Sequence, residues 1–324
     1  MRAAIVPEFG PFEVIEIRDI PVPEPAEGEI LVRTTVAGIN FADAGMVLGT
    51  ARRREPPFTP GVEAAGIVEQ ASDAAPDLEV GQRVVYWNPL PAAFAEFAAV
   101  PAWRAVPIPA GITDETAATL MVQGTTAHYL ATDSYALAPD SSCLIYAAAG
   151  GVGHLLVQIA RHKGARVIAV VGNEGKVALA RELGAEVVIN RGERDILEAV
   201  REATDGEGVS AVYDAVGAAT IEQSLLATRR RGTCVLYGAA SGPVGVLDTS
   251  LMQQAGSIFL TRPGLGDHLR DGAEYRERMA DLFTWHQHGA LNAAIGAEFT
   301  LDGVADALTQ ITSGATTGKL LIRV

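Results

Sequence analysis

The chain has 324 residues, a formal net charge of −14 and 48% hydrophobic residues. This length exceeds the usual span of one hydrophobic core, so about two domains are expected. The negative charge opposes broad electrostatic attraction to nucleic acid or to anionic membranes. No stretch approaches about 18 uninterrupted apolar residues, and the N-terminus has no apolar signal segment. These features favour a folded protein that acts on small molecules.

The first 120 residues contain short β-like runs at residues 29–36, 64–69 and 82–86, separated by proline and glycine turns. This pattern predicts a compact, mostly antiparallel, barrel-like domain. Helical patterns then begin near Asp114 and continue to about Leu137.

The segment AAAGGVG at residues 147–153 follows an apolar run and precedes a run of helical period. In such a turn, Gly150 and Gly153 remove side chains that would keep a pyrophosphate from the backbone, and the helix N-terminus offers unpaired N–H groups. Ala148 stands where the usual G-x-G-x-x-G begins, so the motif alone also fits a plain glycine-rich turn. Strand and helix patterns alternate to about Leu260, which predicts a doubly wound parallel sheet and favours the dinucleotide site.

The predicted domain limits follow from these patterns. Residues 319–324 form a strand pattern that we expect to return to the first domain. The nucleotide domain is then an insertion at residues 122–291, and the first domain comprises residues 1–121 and 292–324. Cys143 and Cys234 lie in apolar runs and are predicted to be core residues, which favours a reducing, cytoplasmic location.

Ten strings in a fixed order resemble the zinc-independent quinone oxidoreductases, the zeta-crystallin group of the medium-chain dehydrogenase/reductase superfamily. The resemblance covers essentially the whole chain. It implies an α/β fold in which a GroES-like β-barrel catalytic domain carries an inserted Rossmann domain. The strings are GINFAD from Gly38, PGVEAAGIV from Pro60, FAEF from Phe94, QGTTAHYL from Gln123, AAAGGVG, YDAVG from Tyr213, RRRG from Arg229, YGAASGP from Tyr237, TRP from Thr261 and TGKLLI from Thr317.

The resemblance also concerns metal and assembly. Zinc-dependent relatives have a cysteine at the position of Asn40, a histidine at Val62 and a cysteine near Gln123. Glu63 remains, but one carboxylate cannot fill a tetrahedral site that needs three protein ligands. We therefore expect no metal.

Family members pair through the edge of the nucleotide-domain sheet, which implies a homodimer through the apolar run at residues 257–260.

Cofactor preference is predicted from the end of the second strand of the nucleotide domain. An acid about 20 residues past the glycine turn binds the ribose in NAD enzymes. Val171 and Gly172 occupy that place, and Glu174 is offset and predicted to be solvated. Lys176 and Arg191 lie where the family contacts the 2′-phosphate of NADPH, although the family has tyrosine at Arg191. Each cation alone fits a surface charge, but together with the missing acid they favour NADPH.

At the reacting end, the resemblance places Asn40 and Thr126 beside the nicotinamide, with the backbone at residues 237–241 flanking it. An amide at Asn40 can donate to a substrate carbonyl oxygen as charge builds there. Asp43 is the candidate acid, or else a residue that fixes its loop. The expected cofactor contacts are Asn40, Thr126, Gly150, Gly151, Val152, Gly153, Gly172, Lys176, Arg191, Tyr237, Gly238, Ser241 and Lys319.

These observations predict an NADPH-dependent reductase of quinones or α,β-unsaturated carbonyls. The family often has tyrosine at Gly45, arginine at Val47 and tyrosine at Ala51, so space for a bulkier or less polar acceptor is expected. One alternative is an enoyl-thioester reductase, in which the arginines at residues 52–54 contact carrier phosphates rather than solvent. Another is an NADPH-binding structural or RNA-binding protein, the latter disfavoured by the negative charge.

The first testable prediction concerns metal. Elemental analysis of the purified protein is expected to find no stoichiometric zinc, and chelators are expected to leave activity intact. Zinc at about one ion per chain that turnover requires would overturn the zinc-free assignment.

Overall fold

The computed structural model describes residues 1–72, 77–90 and 92–324. The chain divides into two compact units. The first comprises Met1–Thr125, Leu269–His288 and Ala293–Val324, and the second comprises Thr126–His268 and Gly289–Asn292. Within the described residues, no helix has the length and apolar character needed to cross a membrane.

The strands are β1 (Arg2–Ile5), β2 (Glu16–Asp19), β3 (Glu29–Gly38), β4 (Glu63–Gln70), β5 (Arg83–Trp87), β6 (Phe97–Pro101), β7 (Ala105–Pro107), β8 (Ser142–Ile145), β9 (Arg166–Val171), β10 (Val187–Asn190), β11 (Val209–Asp214), β12 (Thr228–Leu236), β13 (Phe259–Thr261), β14 (Ile295–Thr300) and β15 (Lys319–Arg323).

The α-helices are α1 (Phe41–Val47), α2 (Asp114–Thr119), α3 (Thr125–Tyr129), α4 (Gly151–His162), α5 (Val177–Glu182), α6 (Ile196–Ala203), α7 (Ile221–Ala227), α8 (Ser250–Gln254), α9 (Gly272–Gln287) and α10 (Val304–Thr312). Two π-helical turns, Leu120–Gly124 and Leu130–Ser134, interrupt the helical stretch predicted from Asp114 onward.

The first unit is built on a mostly antiparallel sheet, as predicted. Its strand order over the described residues is β14-β15-β3-β4-β5-β7, and β6 also pairs with β3. The three β-like runs of the sequence correspond to β3, β4 and β5. The C-terminal strand β15 pairs antiparallel with β3, with Leu321 opposite Gly38. Position 38 therefore lies next to the last strand of the chain.

Helix α9 belongs to the first unit, although the sequence pattern placed it in the insertion. The Tyr275 hydroxyl donates to the Trp87 carbonyl at 3.0 Å and accepts from Arg104 at 2.8 Å. The Tyr275 ring packs edge-on to Trp103 with centroids 5.6 Å apart. These contacts explain why residues 269–288 group with the first unit. The domain limits given above remain a prediction.

The second unit holds the parallel sheet predicted from the alternating pattern. Within the described residues its strand order is β10-β9-β8-β11-β12-β13, and every neighbouring pair is parallel. The order reverses between β8 and β11, where open α/β sheets bind their ligands at the carboxyl ends of the strands. Cys143 and Cys234 are fully buried free thiols in this sheet.

Candidate active site

The glycine turn connects β8 to α4. Gly150 is the N-cap residue of α4, and its extended backbone precedes the first helical turn, which begins at Gly151. The Gly150 N–H donates to the Ala147 carbonyl at 2.8 Å. The first N–H groups of a helix have no partner within the helix, so residues 151–153 present donors and a positive dipole end. This arrangement suits a pyrophosphate.

Gly153 does more than leave room for a pyrophosphate, which is the role that the sequence motif predicted. A Cβ at this position would overlap the Ala147 carbonyl group, with 2.8 Å to its carbon atom. Ala147 itself has a φ of +50°, so the chain turns sharply there. The absent side chain therefore lets α4 approach β8 closely, in addition to leaving room for a phosphate.

The cations predicted for the 2′-phosphate lie beside Gly172. Asn190 pairs with Val171 in the sheet, so the residues that follow β9 and β10 are neighbours. A Cβ built on Gly172 would lie 3.8 Å from the Arg191 Nε atom. Burial and the nearby Arg191 cation lower the pKa of Lys176. Because the two cations repel each other, a bound anion would relieve this repulsion, which favours anion binding at this place.

Glu174, the offset acid, is exposed in a short 3-10 turn at Glu174–Lys176. The Asn190 amide approaches its carboxylate at 3.5 Å. The prediction that Glu174 is solvated is confirmed. No carboxylate occupies the end of β9 itself, where Gly172 stands.

The loop at residues 237–241 is fixed to the end of β11. The N–H groups of Tyr237 and Gly238 donate to the Asp214 carbonyl at 2.9 and 3.2 Å. The Ser241 hydroxyl donates to the Val216 carbonyl and accepts from the N–H of Ala219. The N–H groups of Ala240 and Ser241 also donate, to the Ala215 and Val216 carbonyls, so both the Ser241 hydroxyl and the loop backbone hold the loop in place.

Asp214 organises this region although the sequence did not single it out. Its fully buried carboxylate accepts from the N–H groups of Val216 and Gly217 and from the hydroxyls of Thr220 and Ser224. Thus the carboxyl ends of β8, β9, β10, β11 and β12 bring together the second-unit residues predicted from sequence. Thr126 lies half-buried on α3.

In the first unit, Asn40 is the N-cap of α1 and Asp43 lies in the first turn of that helix. The Asp43 Oδ2 atom accepts from the backbone N–H of Asn40 at 2.7 Å. Asp43 is fully buried, and its Oδ1 has no hydrogen-bond partner among the described residues. Burial raises the pKa of Asp43 to about 7, against the lowering effects of the Asn40 N–H and Lys319.

Asn40 lies next to a buried ion pair between Glu63 and Lys319. The Asn40 Nδ2 atom donates to the Glu63 carboxylate at 2.7 Å, and Asn40 Oδ1 accepts from the Lys319 ammonium at 3.0 Å. Lys319 also donates to Glu63 Oε1, and both charged side chains are fully buried. The other Glu63 oxygen accepts from the N–H of Val122 at 2.8 Å.

This geometry changes three expected roles. Lys319 has no exposed surface and its ammonium is held by Glu63 and Asn40, so direct cofactor contact is not supported. The Asn40 Nδ2 group has two N–H donors: one binds Glu63 at 2.7 Å and the other approaches the Gly38 carbonyl at 3.4 Å, so donation to a substrate oxygen would replace the long Gly38 contact. Asp43 is enclosed and caps α1, which supports the loop-fixing alternative rather than proton donation to a substrate.

The positions that carry zinc ligands in zinc-dependent relatives are occupied otherwise. Val62 and Gln123 are buried, and Gln123 Oε1 has no hydrogen-bond partner among the described residues. In the described part of the chain, no three His, Cys, Asp or Glu side chains form a group that could hold a metal. The donor set at Asn40, Val62 and Gln123 does not fit a tetrahedral zinc ion.

The three consecutive arginines have different surroundings. Arg52 lies 4.9 Å from the Phe9 ring centroid, and Arg53 donates to the Pro89 carbonyl at 3.5 Å. Arg54 lines a concavity of about 450 Å³ together with Arg18. The basic run therefore does not form one phosphate-binding surface.

The resemblance predicted open space at Gly45, Val47 and Ala51, where the family often has larger side chains. The structure leaves less space there than predicted. Val47 is fully buried, so this position opens no volume to a substrate. A Cβ at Gly45 would lie only 3.2 Å from the Cβ of Ala51, so these two residues pack against each other. Only Gly45 and Ala51, both half-buried, remain as candidates for a widened acceptor site.

Glu63, Asp214 and the buried state of Lys319 are the features that sequence reasoning missed or misassigned. A signal existed, because each is a charged residue within or at the end of an otherwise apolar strand. A charge in such a run is buried only when it is paired or hydrogen-bonded. The sequence did not indicate which partners would meet it.

Comparisons with known proteins agree with this architecture. The family model described as Alcohol dehydrogenase GroES-like domain matches residues 26–110, and the one described as Zinc-binding dehydrogenase matches residues 151–284. A 2-haloacrylate reductase of Burkholderia sp is 35% identical, with 99% of this chain and 98% of that protein covered.

Two solved structures have the same fold over the whole length of both chains. Escherichia coli quinone oxidoreductase complexed with NADPH has a TM-score of 0.97 and 33% identity, with 100% of each chain covered. A mycobacterial protein complexed with NADPH has a TM-score of 0.96 and 38% identity, also with 100% of each chain covered. The chain belongs to the zinc-independent quinone oxidoreductase group of the medium-chain dehydrogenase/reductase superfamily.

Proposed function

We propose that this protein is an NADPH-dependent reductase that transfers hydride to a quinone or to an electron-poor unsaturated compound. The observation that carries the proposal is the pair Lys176 and Arg191 beside Gly172, on the same sheet edge as the glycine turn. Relatives named quinone oxidoreductase and 2-haloacrylate reductase, and neighbours solved with NADPH, support it.

The residues of the second unit would hold the cofactor in a defined order. The N-terminal turn of α4 receives the pyrophosphate, and Lys176 with Arg191 binds the 2′-phosphate. We assign the nicotinamide end to Thr126 and to the backbone at residues 237–241. Bound NADPH supplies a hydride, and no Lewis acid is needed when the acceptor delocalises the added electrons.

In the first unit, we assign Asn40 to the reacting end and Asp43 to the capping of α1. A carboxyl that accepts the Asn40 N–H fixes the backbone from which the Asn40 side chain extends. Gly45 and Ala51, where the family often has tyrosines, support an acceptor bulkier or less polar than a benzoquinone. The separate surroundings of residues 52–54 give no support to a carrier-phosphate site.

The proposed activity is tested by NADPH oxidation against a panel of quinones, enones and enoyl-thioesters, with NADH in parallel. We expect turnover with quinones or enones and a preference for NADPH. Activity confined to enoyl-thioesters would favour the alternative reductase. The absence of turnover with every acceptor would overturn the proposal and favour a binding protein.

The cofactor assignment is tested by Lys176→Ala and Arg191→Ala. A charge-assisted contact is worth about 1.5 to 3 kcal/mol when well formed, so each substitution is expected to raise the NADPH Michaelis constant roughly tenfold or more. The NADH constant is expected to remain nearly unchanged. Arg194→Ala is the matched control, because Arg194 is a nearby surface cation paired with Glu202 at 2.5 Å. Equal losses for both cofactors would show that the two cations are ordinary surface charges.

A homodimer paired through β13 is the proposed assembly. Among the described strands, β13 lies at the sheet edge with β12 as its only neighbour, and Phe259 on it is 61% exposed. An apolar edge strand with unpaired backbone groups is a site for pairing. We expect sedimentation to show a dimer at micromolar concentration and Phe259→Lys to shift it toward monomer.

The control is Val80→Lys, which places the same charge on an exposed apolar residue of the first unit. A monomeric wild-type protein would contradict the proposed assembly.

The cytoplasmic location also stays a prediction, supported by the two reduced, buried cysteines.

A further inference from the structure

Glu63 and Lys319 form an ion pair that is fully buried in the first unit. Removing two charges from water is costly, and the attraction between them often fails to recover that cost. Such a pair is therefore weak evidence for stability and better evidence for a defined geometry. The proposed hydride transfer, as described above, uses neither side chain directly.

The ion pair distinguishes the two ends of the Asn40 amide. Lys319 offers only donors, and its ammonium donates to Asn40 Oδ1 at 3.0 Å. The Glu63 carboxylate offers only acceptors, and it meets Asn40 Nδ2 at 2.7 Å. Rotation of the amide by half a turn would place its N–H groups against the ammonium and its oxygen against the carboxylate. Only one orientation is therefore compatible with the charged pair.

The same carboxylate holds a second element. Glu63 Oε2 accepts from the N–H of Val122 in the π-helical turn Leu120–Gly124. The π-helical geometry is rare and occurs often at functional sites. Glu63 thus links the start of α1 to the turn that precedes α3, within the first unit.

The space for this pair depends on Gly38. A Cβ there would lie 2.7 Å from the Lys319 Cε atom and would overlap the Glu63 carboxylate. The antiparallel pairing of β15 with β3 sets Leu321 opposite Gly38, and Lys319 lies two residues before Leu321 at this end of β3. The pairing of β15 with β3, the missing side chain of Gly38 and the Glu63–Lys319 ion pair therefore depend on one another around Asn40.

We propose that Glu63 and Lys319 are positioning residues of the reductase, which lock the Asn40 amide in one orientation at the reacting end. This inference rests on the proposed function, because it takes Asn40 as a residue of that end. It assigns the buried pair a role in catalytic geometry that cofactor binding does not need.

The test is the double variant Glu63→Gln with Lys319→Met, which removes both charges and leaves no unpaired buried ion. A neutral glutamine can donate or accept, so both orientations of Asn40 become possible. We expect kcat with a quinone or enone to fall roughly tenfold or more, as small misplacements at a reacting centre do. We expect the NADPH dissociation constant to change less than about twofold.

An epistasis measurement separates positioning from a general loss of structure. If the pair acts through Asn40, neutralising it in an Asn40→Ala background adds no further loss of kcat. Arg83→Met with Asp114→Asn is the matched control, because it removes a partly buried ion pair of the same unit away from Asn40. The control pair is expected to lower Tm without the selective fall in kcat.

A direct readout does not depend on activity. The chain has five asparagines, so selective ¹⁵N labelling can resolve the Asn40 side-chain amide. We expect that amide to be protected from hydrogen exchange in the wild type and to lose protection in the double variant. A wild-type protein inactive with all acceptors would overturn the proposed function alone. An active double variant with normal kcat, a loss that adds to that of Asn40→Ala, or an unchanged Asn40 amide would overturn the positioning role.

Discussion

The close approach of α4 to the backbone at Ala147 is the constraint on which the site in the second unit depends. It exists because Gly153 has no side chain and because Ala147 turns with a positive φ. The approach places the helix N-terminus at the carboxyl end of β8, next to the strand-order reversal at β11. Asp214 then closes the neighbouring loop through several hydrogen bonds. The glycine turn and the loop at residues 237–241 therefore both lie at the carboxyl end of this sheet.

Local charge outweighs global charge at this edge. The protein carries a formal net charge of −14, yet burial and the repulsion from the nearby Arg191 lower the pKa of the Lys176 ammonium. Screening limits the reach of distant charges to about 8 Å at physiological ionic strength, so the acidic surface does not cancel an adjacent pair of cations. The same acidic surface is consistent with a small anionic ligand held at a specific site rather than with a polymeric one.

Buried carboxylates in this protein act mainly as acceptors for backbone and side-chain donors. Asp214 receives N–H groups and hydroxyls, Asp43 receives the Asn40 N–H, and Glu63 receives an amide, an ammonium and the N–H of Val122. In each case the carboxylate fixes a turn or a helix start near the candidate site. A charged residue in an apolar strand is thus a sign of constrained geometry as well as of chemistry.

Much of the architecture follows from local sequence pattern. The antiparallel and parallel sheets, the glycine turn before α4 and the cations after β9 and β10 are each encoded by contiguous residues, since periodicity and turn chemistry act over short distances. Contacts between distant segments are not encoded in this way. The pairing of Lys319 with Glu63, the packing of Tyr275 that draws α9 to the first unit, and the separate directions of Arg52, Arg53 and Arg54 depend on strand register and loop path. The sequence alone therefore determined the fold class and indicated NADPH as the cofactor. The tertiary structure decided which buried charges meet, because only packing brings residues 256 positions apart into hydrogen-bond contact.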